Sequence, residues 1–348
     1  MGVATAEEVR AHFRAQAEAC ERLGSPFTAG LCRALAHVLD TSTQTGRKAL
    51  GWSGDPQSDA LALRLCGGLH ALVLSRADLV LTAAFPPRSA SQHLLAGILP
   101  ATFRKHDARL ASSLDHPPQT NEVARSAMLL PGLLTLAREW RLPLALHEVA
   151  ASAGLNLLLD RFQYRFGDAR WGEAEAKVAL APELRGTPVP LGGELRIAAR
   201  RASDLAPISV LVPEGAQRLR SFVWADQTER LARLDAAVSL ARAENLRVRR
   251  MDAAEAVVRM IAERRTGEGA VLMHSVAWQY MSADTRRAMV GALAQAGESA
   301  TPERPLAWLR MEPRGNEPHA ALGLTVWPGG ATRHLADCDF HGRWIAWK

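Results

Sequence analysis

Through the first 120 residues, apolar positions recur at three- and four-residue spacing. Val9, Phe13, Ala17 and Cys20 mark one helix face, and Ser25-Pro26 ends that helix and begins another carrying Leu31, Leu35 and Val38. Gly46 to Asp55 reads as a turn-rich connection. Ser58-Asp59 is placed to cap a helix whose buried side holds Leu61, Leu65, Leu69 and Leu72. Leu94 to Leu110 predicts another helix, interrupted near Pro100. No alternating pattern interrupts this part, so it reads as a helical cap over residues 1–118. A further helix ends near Trp140, with Thr120 or Asn121 as its N-cap, Glu122 in its first turn and a kink at Pro131.

The pattern then changes. Leu144-Ala145-Leu146 is a short apolar run ending in Glu148. A loop of small residues comes next (Ala150, Ala151, Ser152, Ala153, Gly154), and a helix is expected to open near Leu155-Asn156. Strand, small-residue loop and helix form the opening unit of a nucleotide-binding α/β sheet, in which close backbone approach and the helix dipole favour a ligand. Phe162, Tyr164 and Phe166 alternate with polar residues, so an inserted hairpin is expected over about 162–198. A strand ending at Asp204 precedes one long helix expected from Gly215 to Glu244. Strands are expected over Leu246 to Met251, Ala270 to Met273 and Leu306 to Leu309, separated by helices and ending near Asp252, His274 and Glu312. A Pro328-Gly329-Gly330 turn closes a C-terminal hairpin. Residues 119–348 thus predict an α/β fold: a parallel sheet covered on both faces, with an antiparallel hairpin at its end.

Composition narrows the function classes. The chain has 348 residues, 48% hydrophobic and 22% charged, which is globular rather than disordered. Its net charge is +6, but the arginines are scattered, so a nucleic-acid partner is allowed without being indicated. Cys20, Cys32, Cys66 and Cys338 show no CxxC spacing and predict buried free thiols. The N-terminus lacks an apolar signal core, and apolar stretches fall short of the ~20 residues of a membrane span, so a soluble, cytoplasmic protein without a membrane partner is expected.

The order of elements resembles the Rossmann-like S-adenosylmethionine-dependent methyltransferases. Three stretches carry the likeness: Glu148-Val149-Ala150-Ala151-Ser152-Ala153-Gly154, Ser203-Asp204-Leu205 and Arg250-Met251-Asp252-Ala253. The resemblance implies that the first loop, with Glu148, Ala150, Ser152, Gly154 and Asn156, holds the methionine part of the cofactor. It likewise implies that Asp204 takes the ribose hydroxyls and Asp252 lies beside the adenine. The pattern is departed from at Ala150 and Ser152, which replace two customary glycines. Fifty residues separate Gly154 from Asp204, where about twenty is usual. His274 to Tyr280 stands where the Asn/Asp-Pro-Pro-aromatic motif of amino-methylating enzymes would be. The whole chain is also similar to an uncharacterised bacterial family of domain-of-unknown-function proteins. That likeness rests on Gln119-Thr120-Asn121-Glu122, Glu148 to Asn156, Ser203 to Pro207, Val223 to Gln227 and His341-Gly342-Arg343-Trp344.

Within the methyltransferase reading, His274, Tyr280 and Glu312 stand at strand ends as candidate catalytic groups. Asn121, Glu122 and Arg125 are placed to bind an acceptor, with a small molecule favoured. The oligomeric state stays open. Two other readings compete. Ala150-Ala151-Ser152-Ala153-Gly154 is a small-residue variant of a serine-hydrolase nucleophile elbow, with His319, His334 or His341 as base and Asp252 or Asp337 behind it. A non-catalytic nucleotide-binding module is the other. His334, Cys338 and His341 fit no standard metal spacing, and no metal is expected.

Overall fold

The computed structural model describes residues 4–348. The chain divides into two compact units, one running to Thr120 and including Pro213–Ala232, the other formed by Asn121–Val212 and Arg233–Lys348. Among the described residues no helix is long and apolar enough to cross a membrane.

The first unit is helical: α1 (Ala6–Arg22), α2 (Pro26–Val38), α3 (Gln44–Leu50), α4 (Leu61–Leu74), α5 (Leu79–Ala84) and α6 (Gln92–Ser113). The predicted faces are buried, with Val9, Phe13, Ala17, Leu31, Leu35, Leu65 and Leu69 in one core. Several boundaries differ from those expected. Ser58 and Asp59 do not cap α4; its N-cap is Ala60 in left-handed conformation, and Asp59 instead accepts the Trp52 indole N–H at 2.7 Å. Pro100 sits inside α6, and the non-helical residue is His106.

The second unit begins with α7 (Ser126–Trp140) and β1 (Leu144–Val149). The small strands β2 (Gln163–Phe166), β3 (Ala169–Trp171) and β4 (Ala179–Leu180) form a separate sheet. β5 (Glu183–Gly186) and β6 (Ile197–Asp204) come next. The single long helix expected after them is two helices, α8 (Pro213–Ser221) and α9 (Thr228–Ala243). α8 and the break belong to the first unit, where Asp226 accepts from Ser25 Oγ and, at 2.9 Å, from the Phe27 amide, serving the start of α2, where Ser25 makes no cap of its own. Then come β7 (Val248–Arg250), α10 (Ala253–Ala262), β8 (Gly269–Ser275), α11 (Ala283–Glu298), β9 (Leu306–Pro313), β10 (Ala320–Trp327), β11 (Ala331–Cys338) and β12 (Trp344–Trp347).

Among the described residues the main sheet has nine strands in the order β5-β12-β11-β10-β9-β8-β1-β6-β7. From β7 to β9 every neighbouring pair is parallel. β8 is buried along almost its whole length, as a central strand covered on both faces must be. Leu272, Val149 and Leu306 pack against Val257, Met260, Met289 and Leu293 of α10 and α11. On the other face α7 lies so close that a Cβ on Gly132 would come within 2.7 Å of Leu309. The reversed strand beside β9 is β10, the next strand in the chain, and β11 and β12 continue as an antiparallel meander. The C-terminal hairpin is therefore present, with its first strand innermost.

Candidate functional site

The C-terminal ends of β1, β6, β7 and β8 lie side by side because the strands are parallel and in register, Glu148 facing Ala202 on one side and Met273 on the other. In open α/β sheets ligands bind at this edge.

The loop leaving β1 has an alternating backbone. Ala150, Ser152 and Gly154 have φ of 51°, 54° and 73°, all left-handed. Ala and Ser adopt that region at a cost of roughly 1–2 kcal/mol each. Ala150 and Ser152, where the sequence resemblance leads one to expect glycine, therefore take a backbone conformation that favours glycine. At Gly154 the space is also closed, since a Cβ would sit 3.2 Å from Ala202 and 3.3 Å from Val248. Asp204 fixes this shape: Oδ2 accepts the Ser152 amide at 2.8 Å and Oδ1 the Ala206 amide at 2.8 Å. Leu155–Arg161 then closes as a 3-10 turn, not the α-helix expected. No α-helix dipole is therefore directed at this loop, contrary to the expectation from the strand-loop-helix pattern. The first amide of the turn, Leu155 N–H, is taken at 2.9 Å by the Asn121 side chain. That contact also corrects the expectation that Asn121 caps α7.

Glu148 is buried, and its Oε2 has no hydrogen-bond partner. Burial pushes its carboxyl up to about 8; a hydrogen bond from Asn156 and the charge of Arg125 act in the opposite direction, and Asp204 adds to the rise. Asn156 is itself held by Ser126 Oγ at 2.8 Å. Ser152 Oγ is a second buried atom without a partner. Arg125 ties three segments together, donating from Nε to the Phe340 carbonyl at 2.9 Å and from Nη1 to the Ser275 carbonyl at 3.2 Å. Glu122 Oε1 accepts the Ala124 amide at 3.2 Å, and its Oε2 lies 3.8 Å from His341 Nδ1. Glu148, Asn156, Asp204, Arg125 and Glu122 are thus brought into one neighbourhood at the strand ends.

Other candidates are placed differently. Asp252 is the N-cap of α10, accepting the Ala254 amide at 2.8 Å and approaching Thr285 Oγ1 at 3.2 Å. His274 is fully buried. Trp308 Nε1, which can only donate, gives its proton to His274 Nε2 at 3.0 Å, so Nδ1 carries the ring proton toward Glu312 Oε1 at 2.6 Å. Glu312 also accepts the Ala277 and Trp278 amides. Neither His274 nor Glu312 has an atom left for an acceptor molecule; they hold the loop after β8. That loop contains Val276 at φ 51°, an unusual backbone for a β-branched residue. Tyr280 is 79% exposed at the loop's far end.

The hydrolase arrangement is not assembled, because Ser152 Oγ has no imidazole within hydrogen-bonding distance. His334 and His319 instead approach Asp337 at 2.9 and 3.8 Å. The four cysteines are free and buried, and among the described residues no group of three or more His, Cys, Asp or Glu is gathered for a metal. Sequence reasoning gave no role to Ser126, Val276 or the Glu122–His341 pairing. The signal for the last lay in the two short stretches Gln119 to Glu122 and His341 to Trp344, which only the fold brings together.

The chain matches, over residues 10–347, the model of a family described as "Uncharacterized protein conserved in bacteria (DUF2332)". No curated protein and no solved structure matches it. The chain belongs to that bacterial family.

Proposed function

We propose that the second unit binds S-adenosylmethionine and transfers its methyl group to a small-molecule acceptor, in a sheet of methyltransferase type. The observation that carries this reading is the left-handed loop Ala150–Gly154 locked between two acids. Glu148 stands before it, and Asp204 on the adjacent parallel strand grips its Ser152 amide. The order β7-β6-β1-β8-β9 with an antiparallel β10 beside β9 supports it.

The residues present fit the cofactor. Glu148 Oε2 and Ser152 Oγ are buried polar atoms without partners at the loop, and such atoms call for a ligand group that supplies one. In this reading Glu148 would orient the loop amides or take the ammonium group of the methionine moiety. Each Asp204 oxygen already accepts one amide, and a carboxylate oxygen has a second lone pair for a ribose hydroxyl. Asp252, half-buried beside Asp204 at the next strand end, would face the adenine while capping α10. When bound, the sulfonium supplies an activated methyl group, so the protein's task is alignment rather than bond activation. Arg125, Asn121 and Glu122 form the acceptor side in this reading. His274 and Glu312 act through the β8 loop, and Tyr280 stands at its open end.

Irradiation of the protein with radiolabelled S-adenosylmethionine, and peptide mapping of the product, tests the reading. Label on the peptide spanning Glu148 to Asn156, competed away by S-adenosylhomocysteine, is expected. Label spread over unrelated peptides and unaffected by competitor would refute it.

A further inference from the structure

The segment Asp339–Arg343 is held by many bonds for a loop. The Asp339 carboxylate accepts the His341 amide at 3.0 Å, the Arg343 amide at 3.1 Å and the Arg343 guanidinium at 2.8 and 2.7 Å. Gly342 has φ 74°, and a Cβ there would meet the Ala124 carbonyl at 2.4 Å, so only glycine allows this loop to seat against the turn Val123–Arg125. Arg125 then links the Phe340 carbonyl to the Ser275 carbonyl at the end of β8, and its charge reaches Glu148 at the end of β1. His341 is thereby held one arginine side chain away from the strand ends.

Its imidazole is divided between two environments. Nδ1 is buried and makes no hydrogen bond, although the side chain as a whole is 41% exposed. Glu122 Oε2 faces Nδ1 at 3.8 Å; Glu122 is buried and accepts the Ala124 amide on its other oxygen. A carboxylate facing Nδ1 selects the tautomer with the proton on that nitrogen and leaves the Nε2 lone pair outward. At 3.8 Å the separation is longer than a hydrogen bond but within ion-pair reach.

We propose that His341 is the proton acceptor of this site, with Glu122 as its positioning residue, and that the acceptor molecule is a protic nucleophile, a hydroxyl or an amine. The inference rests on the methyltransferase reading for the identity of the reaction, but the pair itself does not depend on it. The step is a proton transfer: the acceptor's O–H or N–H bond breaks, its electron pair stays on the acceptor atom, and the proton bonds to Nε2. The imidazolium so formed is stabilised by the Glu122 carboxylate.

The test uses the full chain labelled with 15N-histidine and long-range proton–nitrogen spectra, the His341 signals being assigned from their loss in His341→Gln. In the wild type the neutral His341 ring is expected mainly in the Nδ1–H form. In Glu122→Gln the amide oxygen stays on the Ala124 N–H, which turns the NH2 group toward Nδ1. The ring is then expected to convert mainly to the Nε2–H form. S-adenosylhomocysteine is titrated into the same proteins, and His341→Gln is expected to bind it within about twofold of the wild type. A tautomer balance unchanged by Glu122→Gln overturns the proposal, and so does loss of S-adenosylhomocysteine binding in His341→Gln alone. Failure of the wild type to bind S-adenosylhomocysteine, with the tautomer switch intact, instead removes the methyltransferase reading and leaves the acid–base pair standing.

Discussion

Asp204 Oδ2 accepts the backbone N–H of Ser152 at 2.8 Å, so the end of β6 holds the loop that leaves β1. The other carboxylate oxygen holds Ala206, and the two contacts make Asp204 structural as well as a proposed ligand. Asp204→Ala leaves the Ser152 amide without its acceptor inside a largely buried loop. Loss of such a bond costs about 1–3 kcal/mol, and urea unfolding should show a fall of that size with an unchanged m-value.

Left-handed strain at the loop gives a second expectation. Ala150→Gly and Ser152→Gly relieve φ of 51° and 54°, and each should raise stability by up to about 1 kcal/mol, less than the strain because glycine loses more freedom on folding. Gly154→Ala should do the reverse, since its φ is 73° and its added Cβ would press on Ala202 and Val248. Thermal midpoints of the three variants, measured together, check the sign at each position.

Glu148 makes stability depend on pH. Burial raises its folded-state pKa to about 8. The folded chain therefore holds a proton that the unfolded chain releases near the ordinary Glu value of about 4.3. Its contribution is fully present below that value and is lost as pH rises toward 8. The slope approaches a loss of about 1.4 kcal/mol per pH unit within the window. Glu148→Gln removes the ionisation, so its unfolding free energy, measured from pH 5 to about 8, should decline less steeply than that of the wild type.

Glu312 anchors the loop after β8. It accepts His274 Nδ1–H at 2.6 Å and the Ala277 and Trp278 amides at 3.0–3.1 Å, all of them buried or nearly so. Glu312→Ala leaves these donors unsatisfied together, and about 3 kcal/mol or more of stability should be lost. Val276→Gly, at φ 51° in the same loop, should instead gain up to about 1 kcal/mol. Chemical denaturation of the two variants separates the anchor from the strain it supports.

Much of this architecture was legible along the chain. The short apolar runs at Leu144 and Ala270 are buried central strands, and the change from helical periodicity to the apolar run at Leu144 marks where the main sheet begins. Glu148, Asp204 and Asp252 were readable as strand-end acids because each follows a short strand-like run and precedes a loop or helix start. Local pattern misplaced what depends on distant partners. Leu155–Arg161 looks helical in isolation but closes as a 3-10 turn, its first amide donating to the Asn121 side-chain oxygen across 34 residues. The helix break before Thr228 arises from Asp226 serving Ser25 and Phe27, about two hundred residues back. His274 looked like a base because a histidine at a strand end is exposed to ligand in many sheets. Here Trp308 and Glu312 from the neighbouring strand close over both nitrogens. Pairing of Glu122 with His341 needed the tertiary fold, since no spacing rule links positions so far apart.

Calorimetric titration of the purified protein with S-adenosylhomocysteine, beside Glu148→Gln and Asp204→Asn, decides whether the strand-end acids hold the cofactor. The wild type is expected to bind at roughly micromolar affinity, with a loss of at least about tenfold in each variant and both variants folded by circular dichroism. Absence of heat at millimolar ligand for a folded wild type, or equal binding by all three proteins, would contradict the proposed cofactor site.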